Sequence, residues 1–348
     1  MLSIVNSLSQ TRISSVARLF RGHDFSSSCT CLISQKATFY TRSVHSRSQQ
    51  SESRLAPIGV SAALDARTNS NASGPKIFKE FSLSDRVCIV SGGNRGLGLD
   101  MALALCEAGA RAVYCLDLPE RPGEEWEATR AFVERMKTGV NADKTTRLEY
   151  VSVDVTDQEV VWKRAEEVGD KEGRVDVCVA AAGVSSPSID CLEFPGDKFR
   201  KVLDVNTSGV FFTAQAAGRQ MRRFGIPGSI VLISSMTGTI MARGHETIPY
   251  NTSKGAVNQM TRSMACELGK EGIRVNSISP GYIFTRMVET SGVLQQYPDL
   301  IERWSSQNPL GRIGRPDELR GVVTWLASDA STFCTGSDIL VTGGHHAW

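Results

Sequence analysis

Tyr250 and Lys254 stand four residues apart in the run Pro249-Tyr250-Asn251-Thr252-Ser253-Lys254. On an α-helix, residues i and i+4 share a face, so the ammonium can sit beneath the phenol. A free tyrosine ionises near pH ~10 and is a poor base at neutrality. A fixed positive neighbour favours the phenolate and is expected to lower that pKa. Such a pair can give or take the proton of an alcohol–ketone interconversion. Upstream, Val87-Cys88-Ile89-Val90-Ser91 runs into Gly92-Gly93-Asn94-Arg95-Gly96-Leu97-Gly98, and an apolar, alanine-rich stretch from Leu99 to Ala108 follows. This is a strand, a glycine turn and a helix. Glycines let backbone approach a pyrophosphate closely, and the helix N-terminus offers free N–H groups and a positive dipole end.

Elements must hold these groups together. Short apolar runs predict strands at Val87–Ser91, Ala112–Asp117, Leu148–Val153, Val175–Ala180, Ser229–Ser234, Val275–Ser279 and Ile339–Val341. Between them, amphipathic stretches predict helices at Gly96–Ala108, Glu124–Thr138, Asp157–Lys171, Gly196–Phe224, Pro249–Glu271, Arg286–Trp304 and Asp317–Ala327. Thr156, with Glu159 three residues on, reads as a capping box for the third helix. The strands are near-continuous hydrophobics, as expected when helices cover both faces. The pattern predicts a single doubly wound α/β domain of Rossmann type, with a seven-stranded parallel sheet and helices on both faces. Ligands of such sheets lie outside the carboxyl ends of the strands. The residues of interest fall there: Gly92–Gly98 after strand one, Asp117 and Asp154 at the ends of strands two and three, and Ala181-Ala182-Gly183 after strand four. Ser234 and Ser235 end strand five, Pro280-Gly281 follow strand six, and Tyr250 and Lys254 lie on the helix after strand five.

The chain has 348 residues, 41% hydrophobic and 22% charged, a normal globular composition. Its net charge of +2 is concentrated at one end. Residues 1–54 hold seven Lys/Arg and two acids, which leaves 32 of the 39 basic and 35 of the 37 acidic residues, a net −3, for the rest. The remainder carries no nucleic-acid footprint. That opening segment is rich in serine and arginine and poor in acids. It interleaves Leu2, Val5, Leu8, Ile13, Val16 and Phe20 with Arg12, Arg18 and Arg21, which fits a mitochondrial transit peptide or, failing that, a disordered extension of a cytoplasmic protein. Residues 55–80 read as a linker, and 81–348 as the folded domain. There is no apolar run near the ~18 residues that span a bilayer, so no membrane partner is expected. Nine cysteines are present, but Cys88, Cys115 and Cys178 fall inside predicted strands, where cysteine acts as a small hydrophobe. No Cys-x-x-Cys occurs and the histidines lack metal-ligand spacing, so no metal is expected.

Taken together, the motifs resemble the short-chain dehydrogenase/reductase family, over about residues 81–348. Ser91-Gly92-Gly93-Asn94-Arg95-Gly96-Leu97-Gly98 is similar to its cofactor motif, with serine in place of the usual leading threonine. Asp204-Val205-Asn206 resembles the segment with the family's helix asparagine, and Ser235, Tyr250 and Lys254 match its serine, tyrosine and lysine. Pro280-Gly281 with Ile283 and Thr285 is similar to the segment that contacts the nicotinamide carboxamide. The run Asn308-Pro309-Leu310-Gly311-Arg312 and the tail Gly343-Gly344-His345-His346-Ala347-Trp348 resemble fungal members of the D-arabinitol 2-dehydrogenase and sorbose reductase kind, as does Ser234-Ser235-Met236-Thr237-Gly238. Where the family often has two asparagines after strand four, Ala180 and Ala181 stand here, which implies a change in packing and not in chemistry. Ser235 lies further ahead of Tyr250 than is common in the family, whose usual spacing selects Thr237. The sugar-alcohol branch matches Ser235, with Ser234 turned to the other side of the strand.

The resemblance implies hydride transfer between NAD or NADP and a secondary alcohol or ketone, with a polyol or ketose as substrate and a homotetramer as assembly. Ser235 then polarises the substrate oxygen, Tyr250 exchanges its proton, Lys254 lowers the Tyr250 pKa and bonds the ribose, and Asn206 holds a water that links Lys254 to solvent. Gly92, Asn94, Arg95, Gly96, Leu97 and Gly98 take the cofactor, with Asp154 either touching the adenine or merely capping the next helix. Asp117, downstream of the glycine turn at the end of strand two, suits a free ribose 2′-hydroxyl and favours NAD, while Arg95 could meet a 2′-phosphate. His245 and Glu246, before Tyr250, are either surface residues or hydrogen-bond partners for substrate hydroxyls. Two rival readings remain: a 3-oxoacyl-carrier-protein reductase or other carbonyl reductase, and a non-catalytic cofactor-binding interaction protein. The second would be marked by loss of a catalytic residue, and none of the four is lost.

Overall fold

The computed structural model describes residues 58–65, 76–136, 146–241, 247–285, 288 and 293–347. Residues 1–54, and His245 and Glu246, lie outside the described residues. The chain divides into two units, Met1–Lys76 and Ile77–Trp348. In the first, the helix Gly59–Asp65 is described.

The second unit carries the sheet. Its strands are β1 (Val87–Ser91), β2 (Ala112–Asp117), β3 (Arg147–Ser152), β4 (Val177–Ala180), β5 (Ser229–Ile233), β6 (Arg274–Pro280) and β7 (Asp338–Val341). They lie in the order β3-β2-β1-β4-β5-β6-β7, every pair parallel. The helices between them are α1 (Gly96–Glu107), α2 (Glu124–Arg135), α3 (Gln158–Glu172), α4 (Gly196–Leu203), α5 (Val210–Phe224), α6 (Ile248–Leu268), α7 (Leu300–Ser306) and α8 (Arg320–Ala327). Strand residues alternate between two cores. Cys88, Val90, Val113, Cys115, Val177 and Val179 pack with Met101, Leu105, Val323 and Leu326 on one side. Val87, Ile89, Tyr114, Leu116, Cys178 and Ala180 pack with Val161, Ala165, Val210 and Val257 on the other. Both faces are therefore dry, and each fully buried Val or Ile contributes about 1.5–3 kcal/mol. Cys88, Cys106, Cys115 and Cys178 are buried free thiols, and burial pushes Cys115 and Cys178 up to about 12.

The strand order reverses at β1, which has β2 on one side and β4 on the other. Such sheets take ligands outside the carboxyl ends of the strands at this reversal.

Four expected elements differ. The single helix Gly196–Phe224 is interrupted by a π-helical segment, Asp204–Gly209, between α4 and α5. The extra residue in that turn places Asn206 in the interior. The expected helix Arg286–Trp304 is described only as the short turn Val293–Gln296 and α7. Pro298 lacks an N–H and disfavours the α conformation at Tyr297, which parts the two. The last helix begins as a 3₁₀ turn, Pro316–Leu319. Finally, Thr156 is not the cap of α3. Asp157 is, accepting from Val160 N at 3.1 Å, because the Thr156 hydroxyl is already donated to Asp154 Oδ1 at 2.8 Å.

Candidate active site

α6 begins at Ile248 with Pro249 in its first turn, where the missing N–H has no helical partner to lose. Tyr250 and Lys254 follow on one face. The Lys254 ammonium lies 5.5 Å from the centroid of the Tyr250 ring. It is 5% exposed and donates to the Ile233 carbonyl at 2.9 Å, at the end of β5. Ser235 leaves that same strand. Its hydroxyl faces the Tyr250 phenol and favours its charged form, and it accepts from Thr237 N at 3.2 Å and Thr237 Oγ1 at 3.1 Å. Thr237 thus braces Ser235, and Ser235 meets the tyrosine. Ser234 faces the other way and donates to the Lys254 carbonyl at 3.0 Å.

The electrostatics correct one expectation. Burial pushes the Tyr250 phenol above its ordinary value, and the bond to Ser235 pulls it back only in part. Burial also pulls Lys254 down from 10.5 to about 8. The packing that brings the pair together removes water from both, and desolvation disfavours each charged form. In the protein alone the net shift of the phenol is therefore upward.

Asn206 is fully buried in the π segment. Its Oδ1 accepts from Val184 N at 2.8 Å, and its Nδ2 donates to Val184 O at 3.0 Å and to Ser253 Oγ at 3.2 Å. Ser253 in turn donates to the Tyr250 carbonyl at 2.6 Å. A Cβ on Gly183 would lie 3.3 Å from Asn206 Oδ1 and 3.8 Å from Lys254 Nζ, so the β4 exit lies beside both. Sequence reasoning does not single out Ser253 or Val184. The serine beside the lysine is a visible signal, but a backbone partner such as Val184 leaves none.

The glycine turn is shaped for a close neighbour. Gly92 and Gly96 hold φ of +67° and +59°, and a Cβ on Gly98 would collide with the Gly92 carbonyl. Asp117 at the end of β2 accepts from Asn94 N at 3.0 Å and from Leu118 N at 2.8 Å, and Asn94 Oδ1 accepts from Gly123 N at 2.8 Å. Ser91 ties the turn to the β4 exit, its hydroxyl accepting from Ala182 N at 3.3 Å. Arg95 stands at the N-cap of α1 with no side-chain capping bond. The first N–H groups of a twelve-residue helix are thus left for an anion, and open space surrounds the Cβ position of Gly96. These residues fit a dinucleotide pyrophosphate. Asp154 is exposed and accepts from Thr156 N at 2.9 Å, so it shapes the β3 exit without capping α3. Ile283 pairs with Gly314 beyond β6, with Thr285 two residues on. Among the described residues no group of three or more His, Cys, Asp or Glu could hold a metal ion. No helix among them is long and apolar enough to cross a membrane.

Known proteins are similar to this chain in sequence and fold. The family model described as Enoyl-(Acyl carrier protein) reductase matches residues 92–346. The short chain dehydrogenases/reductase notP′ of Aspergillus versicolor is 40% identical over 276 residues, covering 77% of this chain and 89% of its own length. Sorbose reductase sou1 of Schizosaccharomyces pombe is 33% identical over 276 residues, covering 76% and 97%. A gluconate 5-dehydrogenase from Burkholderia cenocepacia J2315, solved in complex with NADP and tartrate, superposes with a TM-score of 0.68 at 29% identity, over 78% of this chain and 99% of that one. A family model matching residues 92–346, and relatives aligned along nearly their whole length, place the chain in the short-chain dehydrogenase/reductase family.

Proposed function

We propose that the chain is an NAD(P)-dependent oxidoreductase that interconverts a secondary alcohol and a ketone, with a polyol and its ketose, of the D-arabinitol–ribulose type, as substrates. The observation that carries it is the convergence of Ser235, Tyr250 and Lys254 at the carboxyl ends of the strands. The nicotinamide supplies or accepts the hydride when bound. The glycine turn and the α1 N-terminus hold the pyrophosphate, and Asp117 accepts from the ribose, which favours NAD. In reduction, Ser235 bonds the substrate oxygen and Tyr250 delivers a proton to it. In oxidation, the Tyr250 phenolate takes that proton back. Lys254 places positive charge beneath the ring as the phenolate forms.

The likeness to a sorbose reductase supports a sugar-alcohol substrate. The rim supports a neutral one. In the described residues of the loops after β4, β5 and β6 (181–195, 234–241, 281–285 and 293–299), the charged side chains are Asp190, Glu193 and Asp299, all acids. Such a rim repels an acidic carrier protein, which weighs against an acyl-carrier-protein reductase. The test is turnover of D-arabinitol, xylitol, sorbitol and their ketoses with each cofactor, for the wild type and Tyr250→Phe. The expected result is turnover of at least one polyol, lost in the variant with dinucleotide affinity retained. Turnover of acyl thioesters and of no sugar would overturn the substrate reading, and substantial turnover by the variant would overturn the role of Tyr250. The composition of residues 1–54 supports a mitochondrial address, checked by imaging the full chain beside one lacking them. Family resemblance supports a homotetramer, checked by sedimentation.

A further inference from the structure

The segment after α7 and the C-terminal tail meet at the exit of β6 and close a ring of contacts. Tyr282, the second residue past β6, stacks on Trp304 with centroids 4.4 Å apart and planes 8° from parallel. The Trp304 carbonyl accepts from Asn308 Nδ2 at 3.3 Å, and the same Nδ2 donates to Arg312 O at 2.9 Å. Leu310 N donates to Gly343 O at 3.3 Å. Gly343, at φ +65°, approaches so closely that a Cβ there would lie 2.8 Å from Asn308 Oδ1. Thr342 holds the tail turn, its hydroxyl accepting from Gly344 N at 3.2 Å and bonding His346 Nδ1 at 2.8 Å. His345, 9% exposed, returns to Tyr282 edge-on, with centroids 5.4 Å apart and planes at 89°. The ring runs Tyr282, Trp304, Asn308, Gly343, His345 and back to Tyr282.

The backbone pins the same segment. Gly281 N donates to Val341 O at 2.9 Å, Gly314 N to Tyr282 O at 2.8 Å, and Phe284 N to Gly314 O at 2.8 Å. The ring reaches the site through the segment that follows β6. Its output is the placement of Ile283, Phe284 and Thr285. A dinucleotide across the crevice puts one nucleotide half over β1 to β3 and the other over β4 to β6. Tyr250 and Ser235 stand on the second side, and so does this segment.

We propose that Trp304 is a positioning residue: through its stack on Tyr282 it sets Ile283–Thr285 against the hydride-carrying half of the dinucleotide. The assignment rests on the NAD(P) reading above. It predicts that disturbing the ring weakens one half of the cofactor and spares the other. The test uses the full chain as wild type, Trp304→Ala and Trp304→Phe. Calorimetry measures the affinity for the dinucleotide and for ADP-ribose, or its 2′-phosphate if the wild type prefers NADP. Trp304→Ala is expected to weaken dinucleotide binding about tenfold, the upper end for a stacked aromatic pair, and to leave ADP-ribose unchanged. Trp304→Phe, which keeps a ring in the stack, is expected to recover most of the loss. Equal weakening of both ligands, or no change in either, would overturn the proposal, because a structural role alone moves them together. If Trp304→Ala does not fold, His345→Ala removes the outer ring and is read by the same ratio, with a smaller shift expected and an unchanged ratio overturning the proposal. A wild type that binds neither ligand would sink the cofactor reading itself, a result distinct from an unchanged ratio.

Discussion

Lys254→Met isolates what the buried ammonium does to the fold. Lys254 is 5% exposed, and burial alone accounts for its fall from 10.5 to about 8. That difference of about 2.5 units, at ~1.36 kcal/mol each, disfavours the charged form by about 3 kcal/mol. The sign follows from linkage. The folded value lies below the unfolded one, so the unfolded chain binds more protons between them. The penalty is full below about pH 8 and is relieved as pH rises toward 10.5. Methionine fills similar space without charge but leaves the Ile233 carbonyl without its donor, at a cost of ~1–3 kcal/mol. At pH 7 the variant is therefore expected to be about 1 kcal/mol more stable, or ~2–4 °C in Tm, while turnover is lost. The sharper signal is the slope. Above about pH 8 the wild type gains on the variant by up to ~1.4 kcal/mol per pH unit. Urea denaturation of both proteins between pH 7 and 10, without added dinucleotide, reads the difference. Parallel stability curves would refute the buried charge.

Two further substitutions divide the site. Ser235→Ala is expected to lower kcat by about 10²–10³, the value of one oriented donor at a developing oxyanion, whereas Thr237→Val removes only a brace and keeps most turnover; equal losses in steady-state assays would return the assignment to Thr237. Asp117→Ala removes the acceptor at the end of β2, and the ratio of kcat/KM for NAD over NADP is expected to fall about 10- to 100-fold, as for a bond to a charged group; an unchanged ratio would mean that Arg95 or the turn itself sets the choice.

Much of this arrangement can be read from residue order. The strands can be placed because both faces are dry, which leaves unbroken apolar runs such as Val87–Val90 and Val177–Ala180. Tyr250 and Lys254 can be paired because i, i+4 spacing is geometry. What stays hidden depends on competition among local partners. Thr156 and Asp157 can both cap a helix, and the choice falls to Asp157 once Asp154 takes the threonine hydroxyl. The π segment at Asp204–Gly209 shifts hydrogen bonds by one residue without changing composition. The direction of the Tyr250 shift departs from expectation because spacing reports proximity and says nothing of burial. The ring around Trp304 joins three stretches distant in sequence, and only the Asn308 and Gly343 motifs hint at it.

The polar groups at the site are fixed mainly to backbone. Lys254 bonds Ile233 O, Ser253 bonds Tyr250 O, Asn206 bonds both backbone groups of Val184, and Ser234 bonds Lys254 O. All of these partners belong to strand ends or to α6, apart from Val184 just past β4. The constellation is therefore as rigid as the sheet that carries it, which is what proton transfer across a short bond requires. The rim is built differently. Leu192, Met241 and Phe284 are exposed on the loops after β4, β5 and β6, and Met241 Sδ accepts from Asn251 Nδ2 on α6 at 3.2 Å. Replacing a rim residue can change which alcohol is admitted without moving the phenol, whereas replacing Asn206 or Ser253 shifts the phenol for every alcohol. The groups around the phenol are thus held by backbone of α6, of the β5 end and of the loop after β4.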